Sequence, residues 1–159
     1  MAETIRHDVE IDASPTTVWG VLTDTARYPD WNPFITTLTG QLRDGAHLEA
    51  VISPPGGKAR TFRPTVLAAI PERELRWRGR FLVPGLFDGE HWFTVEPLTG
   101  GRCRLTQGER FTGLLARPMR SQLGPTLLGF EQMNRALKVR AEERSPGPSS
   151  GDATTSASQ

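Results

Sequence analysis

Near the start of the chain, apolar and polar side chains alternate: Ile5, His7, Val9 and Ile11 share one parity, and Thr4, Arg6, Asp8 and Glu10 the other. That period predicts a half-buried strand. The spacing then lengthens in ASPTTVWGVLTD, where Ser14 can cap, Pro15 suits a first helical position, and Val18, Val21 and Leu22 share a face. A short amphipathic helix is predicted there. The next stretch, ARYPDWNPF (26–34), sets Tyr28, Trp31 and Phe34 among Pro29 and Pro33. Two prolines forbid a long helix or a central strand, so these aromatics must pack from a short element. From Ile35 the period of two returns, over 35–42, 46–53, 59–70, 73–81, 87–97 and 102–112, with turn-rich links such as RDG, SPPGG and LTGG between. Short links between successive strands predict antiparallel neighbours. Within 73–81, Leu75, Trp77 and Phe81 alternate with Arg76, Arg78 and Arg80, so one face of the sheet is covered and the other is wet. Finally Met119, Leu123, Leu127, Phe130, Asn134 and Leu137 recur at helical steps, with a kink or break expected at Gly124 and Pro125.

These elements predict an α+β domain: a curved, seven-stranded antiparallel sheet wrapped around a long C-terminal helix, with two short helices between the first two strands. The domain is expected over 1–144, and 145–159, rich in Ser, Thr, Gly and Pro, as a disordered tail. Composition narrows the partners. With 19 basic against 18 acidic residues the formal net charge is +1, so no global field points to nucleic acid or to an anionic membrane. No apolar run is long enough for a bilayer, and no stable membrane insertion is expected. A single cysteine, Cys103, precludes an intramolecular disulfide; with no signal-peptide pattern at Met1–Glu10, a cytoplasmic protein is expected. The oligomeric state is left open.

The stretches IDASPTTVWGVLTDTARYPDWNPF (11–34), FRPTVLAAIPERELRWRG (62–79), GLFDGEHWFTVEP (85–97), TQGERFTGLL (106–115) and GFEQMNRALKVRAE (129–142) resemble, in this order, the START-like or SRPBCC superfamily. The nearest groups are the small polyketide cyclase/dehydrase-like and lipid-transport-like proteins. The resemblance implies the helix-grip fold, with a deep apolar cavity between sheet and terminal helix and with 26–34 at its end. It leaves function broad, because members of the superfamily serve as lipid carriers, polyketide aromatases and cyclases, hormone-binding proteins and co-activators. A hydrophobic ligand such as a lipid, a polyketide or an aromatic compound is the occupant it implies.

Parity selects the polar side chains that face inward. Phe93 and Val95 carry His91 in with them, and Leu105 and Phe111 carry Gln107 and Glu109. A three-residue loop at Thr99–Gly101 sets His91 against Glu109 and Phe93 against Gln107, unless a bulge at the glycines shifts the register. A buried carboxylate beside an imidazole can move a proton, anchor a polar ligand group or simply form an internal hydrogen bond. His91 and Glu109 are the candidate catalytic pair. Trp31, Phe62, Trp77, Phe93, Gln107, Phe111, Phe130 and Asn134 are the candidate ligand-binding residues. Three functions stay open: a binder without chemistry, a cyclase, aromatase or dehydratase using His91 and Glu109, and a protein-interaction module. The basic row Arg76, Arg78 and Arg80 is expected to be solvated, on a face without stacking aromatics, and Arg63 is expected outside. SPPGGK lacks the spacer and the Ser or Thr of a phosphate loop, and the histidines and Cys103 lack metal-ligand spacing. No metal or other cofactor is expected.

Overall fold

The computed structural model describes residues 2–81 and 83–146. Among these the chain forms, in order, β1 (Glu3–Ile11), α1 (Pro15–Thr23), α2 (Tyr28–Trp31), β2 (Ile35–Thr39), β3 (Glu49–Ile52), β4 (Arg60–Phe62), β5 (Thr65–Ile70), β6 (Glu74–Phe81), β7 (Phe87–Pro97), β8 (Cys103–Thr112) and α3 (Gly124–Arg144). Of the tail expected at 145–159, only Ser145 and Pro146 fall among the described residues.

The architecture is α+β, a large antiparallel sheet closed over by a long C-terminal helix. A five-stranded sheet runs β1-β8-β7-β6-β5 and a three-stranded one β2-β3-β4. Backbone bonds join the two, with Val66 N–H donating to the Ala46 carbonyl at 2.8 Å and Gly45 N–H to the Val66 carbonyl at 2.9 Å. The strand count is eight rather than seven because the segment expected at 59–70 divides. Pro64 has no N–H for a ladder, so Arg60–Phe62 pairs with β3 while Thr65–Ile70 turns away to pair with β6. Bulges at Val66/Ala68 and Ile35/Thr37 bend both sheets further.

The helices start where local chemistry dictates. Ser14 Oγ accepts the Thr17 N–H at 3.1 Å and Pro15 occupies the first turn of α1. The interruption expected at Gly124 and Pro125 is a break rather than a kink: Pro125 fills the first turn of α3, and the chain before it is a turn and a 3-10 segment at Arg120–Gln122. Met119 and Leu123 therefore leave the predicted stripe and pack with Phe87, Phe111 and Ala116 in a small second core, while Leu127 is 38% exposed. The buried face of α3 is Phe130, Met133, Asn134, Leu137 and Ala141.

In ARYPDWNPF the chain forms a 3-10 turn at Thr25–Arg27 and then α2. The Tyr28 hydroxyl donates to the Leu22 carbonyl at 2.6 Å, which satisfies a carbonyl at the end of α1. Asn32 Oδ1 accepts from the N–H groups of Phe34 and Ile35, at 3.0 and 2.9 Å. Phe34 thereby lies edge-on to Phe130, with its ring across Gly129 where any Cβ would collide. Phe34 thus seats the early turns of α3.

On the outer face, Arg76 bonds Glu74 and Glu90, and Arg78 bonds Glu90. Partial burial pulls the Arg76 guanidinium down, but the bonds from Glu74 and Glu90 outweigh it and raise it. Two of the three arginines of this row are thus paired within the sheet. Contrary to the expectation that no aromatic shares that face, Trp92 lies there across Gly108, with the Arg76 guanidinium 5.5 Å from its ring centroid.

Candidate functional site

The strand registers bring the inward polar side chains together in two rows. One is Trp77, His91, Glu109 and Ile5; the next is Leu75, Phe93, Gln107 and His7. The β7–β8 loop closes through a Leu98 N–H to Arg102 carbonyl bond of 2.8 Å, with no bulge, so the three-residue loop places His91 directly opposite Glu109. α3 covers both rows.

His91 is 3% exposed and caged by rings. Trp77 stacks on it at 5.0 Å between centroids, Phe93 is tilted against it at 4.9 Å, and Phe130 from α3 meets it edge-on at 5.2 Å. Its Nδ1 lies 3.5 Å from Glu109 Oε2, and the Glu109 side chain is 18% exposed. Glu109 fits because residue 89 is glycine: a Cβ there would stand 2.5 Å from Oε1. The other imidazole nitrogen, Nε2, is 3.2 Å from Gln107 Nε2. Gln107 also points that NH2 at Met133 Sδ, 3.6 Å away, and a thioether only accepts. Gln107 therefore donates to His91 Nε2, which leaves the imidazole proton on Nδ1, toward Glu109. The result is a carboxylate, an imidazole and an amide in line within an apolar wall.

A second amide sits beside the first. Asn134 Nδ2 donates to the His7 carbonyl at 3.1 Å and to His7 Nδ1 at 3.0 Å, bridging α3 to β1. Lys138 and Glu142, further along α3, hold the same strand edge through the Glu10 carbonyl and the Asp12 N–H.

The remaining candidates are placed as follows. Trp31 is half-buried on α2, edge-on to Tyr28 at 5.3 Å, with its indole Nε1 buried and unbonded. Phe62 is half-buried on β4, opposite Ala50. Phe111 is buried on the same face as Glu109 but stacks on Phe87 at 5.3 Å, in the second core. Sequence reasoning did not find Gly89, Met133 or the His7–Asn134 contact. Parity put His7 on the inner face, but which helix residue meets it depends on how α3 docks, and Gly89 is met by Glu109 of the neighbouring strand.

Depressions of about 230 and 290 Å³ lie on the outer face around Arg78 and Arg80. Their charged lining does not suit an apolar ligand. No group of three or more His, Cys, Asp or Glu side chains among the described residues converges as a metal ion needs, and no described helix is long and apolar enough to cross a membrane.

A family model described as polyketide cyclase / dehydrase and lipid transport matches residues 2–142. Among solved structures, the Zhui aromatase/cyclase of a Streptomyces species superposes with a TM-score of 0.72 at 18% identity, over 91% of this chain and 96% of that one. A START superfamily protein of Mycobacterium smegmatis gives 0.67 at 21% identity, over 88% and 97%. The di-domain aromatase/cyclase StfQ of the steffimycin biosynthetic pathway gives 0.68 at 16% identity; 91% of this chain is covered, spanning only 52% of that one. At such identities the likeness is one of fold. No curated protein matches the chain by sequence.

Proposed function

The chain belongs to the polyketide cyclase/dehydrase and lipid transport family, and from that premise we propose that it binds a hydrophobic small molecule, such as a lipid, polyketide or aromatic compound, between the sheet and α3. The observation that carries this is the line of half-buried Glu109 and buried His91 and Gln107 beside a wall of Trp77, Phe93 and Phe130. Apolar surface supplies affinity, and a few fixed polar groups orient the ligand. Native mass spectrometry of protein purified from its host tests the proposal: a co-purifying small molecule, lost on denaturation, is expected. Repeated preparations without one count against it.

A second function, proton transfer in a cyclisation or dehydration, is favoured by one contact. With its proton on Nδ1, His91 faces the Glu109 carboxylate at 3.5 Å, and Gly89 leaves that carboxylate room. In this scheme Glu109 takes or returns a proton on a bound chain and His91 steadies its charge. Turnover should fall by about a hundredfold or more in Glu109→Gln, with the melting temperature unchanged. Equal product profiles in the two proteins would remove the catalytic role and leave the binder.

A further inference from the structure

Both inner amides are committed on their NH2 side and bare on the other. Gln107 gives its hydrogens to His91 Nε2 and Met133 Sδ, and Asn134 gives its own to His7 Nδ1 and the His7 carbonyl. A carbonyl and a thioether can only accept, so neither amide can turn over without facing an acceptor with its oxygen. That leaves Gln107 Oε1 and Asn134 Oδ1 buried with no partner in the protein, on side chains that are 0% exposed. They belong to one patch, since His7 lies directly opposite Gln107 in the β1–β8 register and Met133 and Asn134 are consecutive on α3. A buried acceptor without a donor destabilises a fold, so two in one place need a reason.

Building on the ligand-binding function proposed above, we propose that this patch selects the ligand's polar group: the occupant is a hydroxylated hydrophobic compound, an alcohol or phenol, whose O–H donates to Gln107 Oε1 or Asn134 Oδ1. A ligand whose only polar group is a carbonyl or an ether brings another acceptor to two acceptors and is rejected. The amide hydrogens cannot rescue it, because the two imidazoles, the sulfur and the His7 carbonyl already hold them.

The test is calorimetric titration of the full chain with β-naphthol and with its methyl ether. Apolar burial alone favours the ether, which carries one more carbon. The donor rule predicts the reverse, with naphthol bound about tenfold more tightly or better, and a preference that shrinks to about twofold or less in at least one of Gln107→Met and Asn134→Leu. Equal affinity for both compounds overturns the donor rule while leaving the binding function intact, and means that the two oxygens bond to buried water. Binding of neither compound overturns the binding function, and the donor rule with it. A preference that survives both substitutions places the donor contact elsewhere and also overturns the rule. If a variant fails to fold, the wild-type comparison decides.

Discussion

Glu72 is the one non-glycine residue with positive φ among those described, at 62°. It sits in the turn that joins β5 to β6, after Pro71, with the Arg73 N–H bonded to the Ile70 carbonyl at 3.0 Å. Proline at the second position and a left-handed third residue is the pattern of a type II turn, whose third position favours glycine or asparagine. The Glu72 side chain is exposed and makes no compensating contact that the fold needs. Replacing it should relieve strain: Glu72→Gly is expected to raise the unfolding free energy by up to about 1 kcal/mol in urea titration, the gain being partly offset by a looser unfolded chain. The same scale explains why the inner residues could be read before any fold was known. Alternation fixes the face of every residue on a strand, so Phe93 and Phe111 carried His91 and Glu109 inward with them. Gly89 was not readable, since glycine carries no apolar signal and its reason lies in the carboxylate on the next strand.

Among the elements, α3 has the most to hold. Its C-terminal half clamps the free edge of β1: Lys138 Nζ donates to the Glu10 carbonyl at 2.7 Å, and Glu142 Oε1 accepts both Lys138 and the Asp12 N–H. These bonds cover the C-terminal end of that edge. The Lys138 bond first, and the Asp12 N–H next, hold the Glu142 carboxyl below the ordinary 4.5 of a glutamate. A carboxylate whose folded pKa is depressed stabilises the fold while ionised. The contribution is therefore complete above pH 4.5 and is lost as the pH falls through the lower folded value. Glu142→Gln should be less stable than the parent at pH 7 and should show a shallower loss of melting temperature below pH 4.5. Parallel curves for the two proteins would mean that this carboxylate is not the titrating group. The helical spacing of 114–143 predicted this element but overran its start. Period alone cannot tell a helix from a turn whose apolar residues pack into a separate core, as Met119 and Leu123 do.

For the whole molecule, Phe130 joins the parts. It meets Phe34, which leads into the three-stranded sheet, and His91 at the centre of the five-stranded one. Phe130→Ala should cost about 3–5 kcal/mol, in the range for a buried aromatic truncated to a cavity. Because backbone bonds between Ala46, Gly45 and Val66 also join the two sheets, secondary structure and tryptophan fluorescence are expected to report one coincident transition in parent and variant alike. Two separated transitions would mean that the sheets fold independently. At this scale the sheet was legible as a meander of strands under a helix, and only Pro64 altered the count by dividing one strand between two sheets.

By itself the sequence determined what its periods encode: the strands, the capped first helix, the amphipathic α3, the inward parity of His91, Gln107 and Glu109, and a β7–β8 register narrowed by counting across the loop to two values, of which the structure has the one without a bulge. These are local constraints, set by backbone geometry over a few residues. The tertiary structure decided everything that needs a second element at a particular height and angle. It chose Asn134 for His7 and Met133 for Gln107, seated Phe34 on Gly129, made room for Glu109 at Gly89, and left two amide oxygens bare inside an oily wall. The axial position of α3 over the sheet is the minimum of many packing contacts made at once, and no window along the chain contains both sides of any of them.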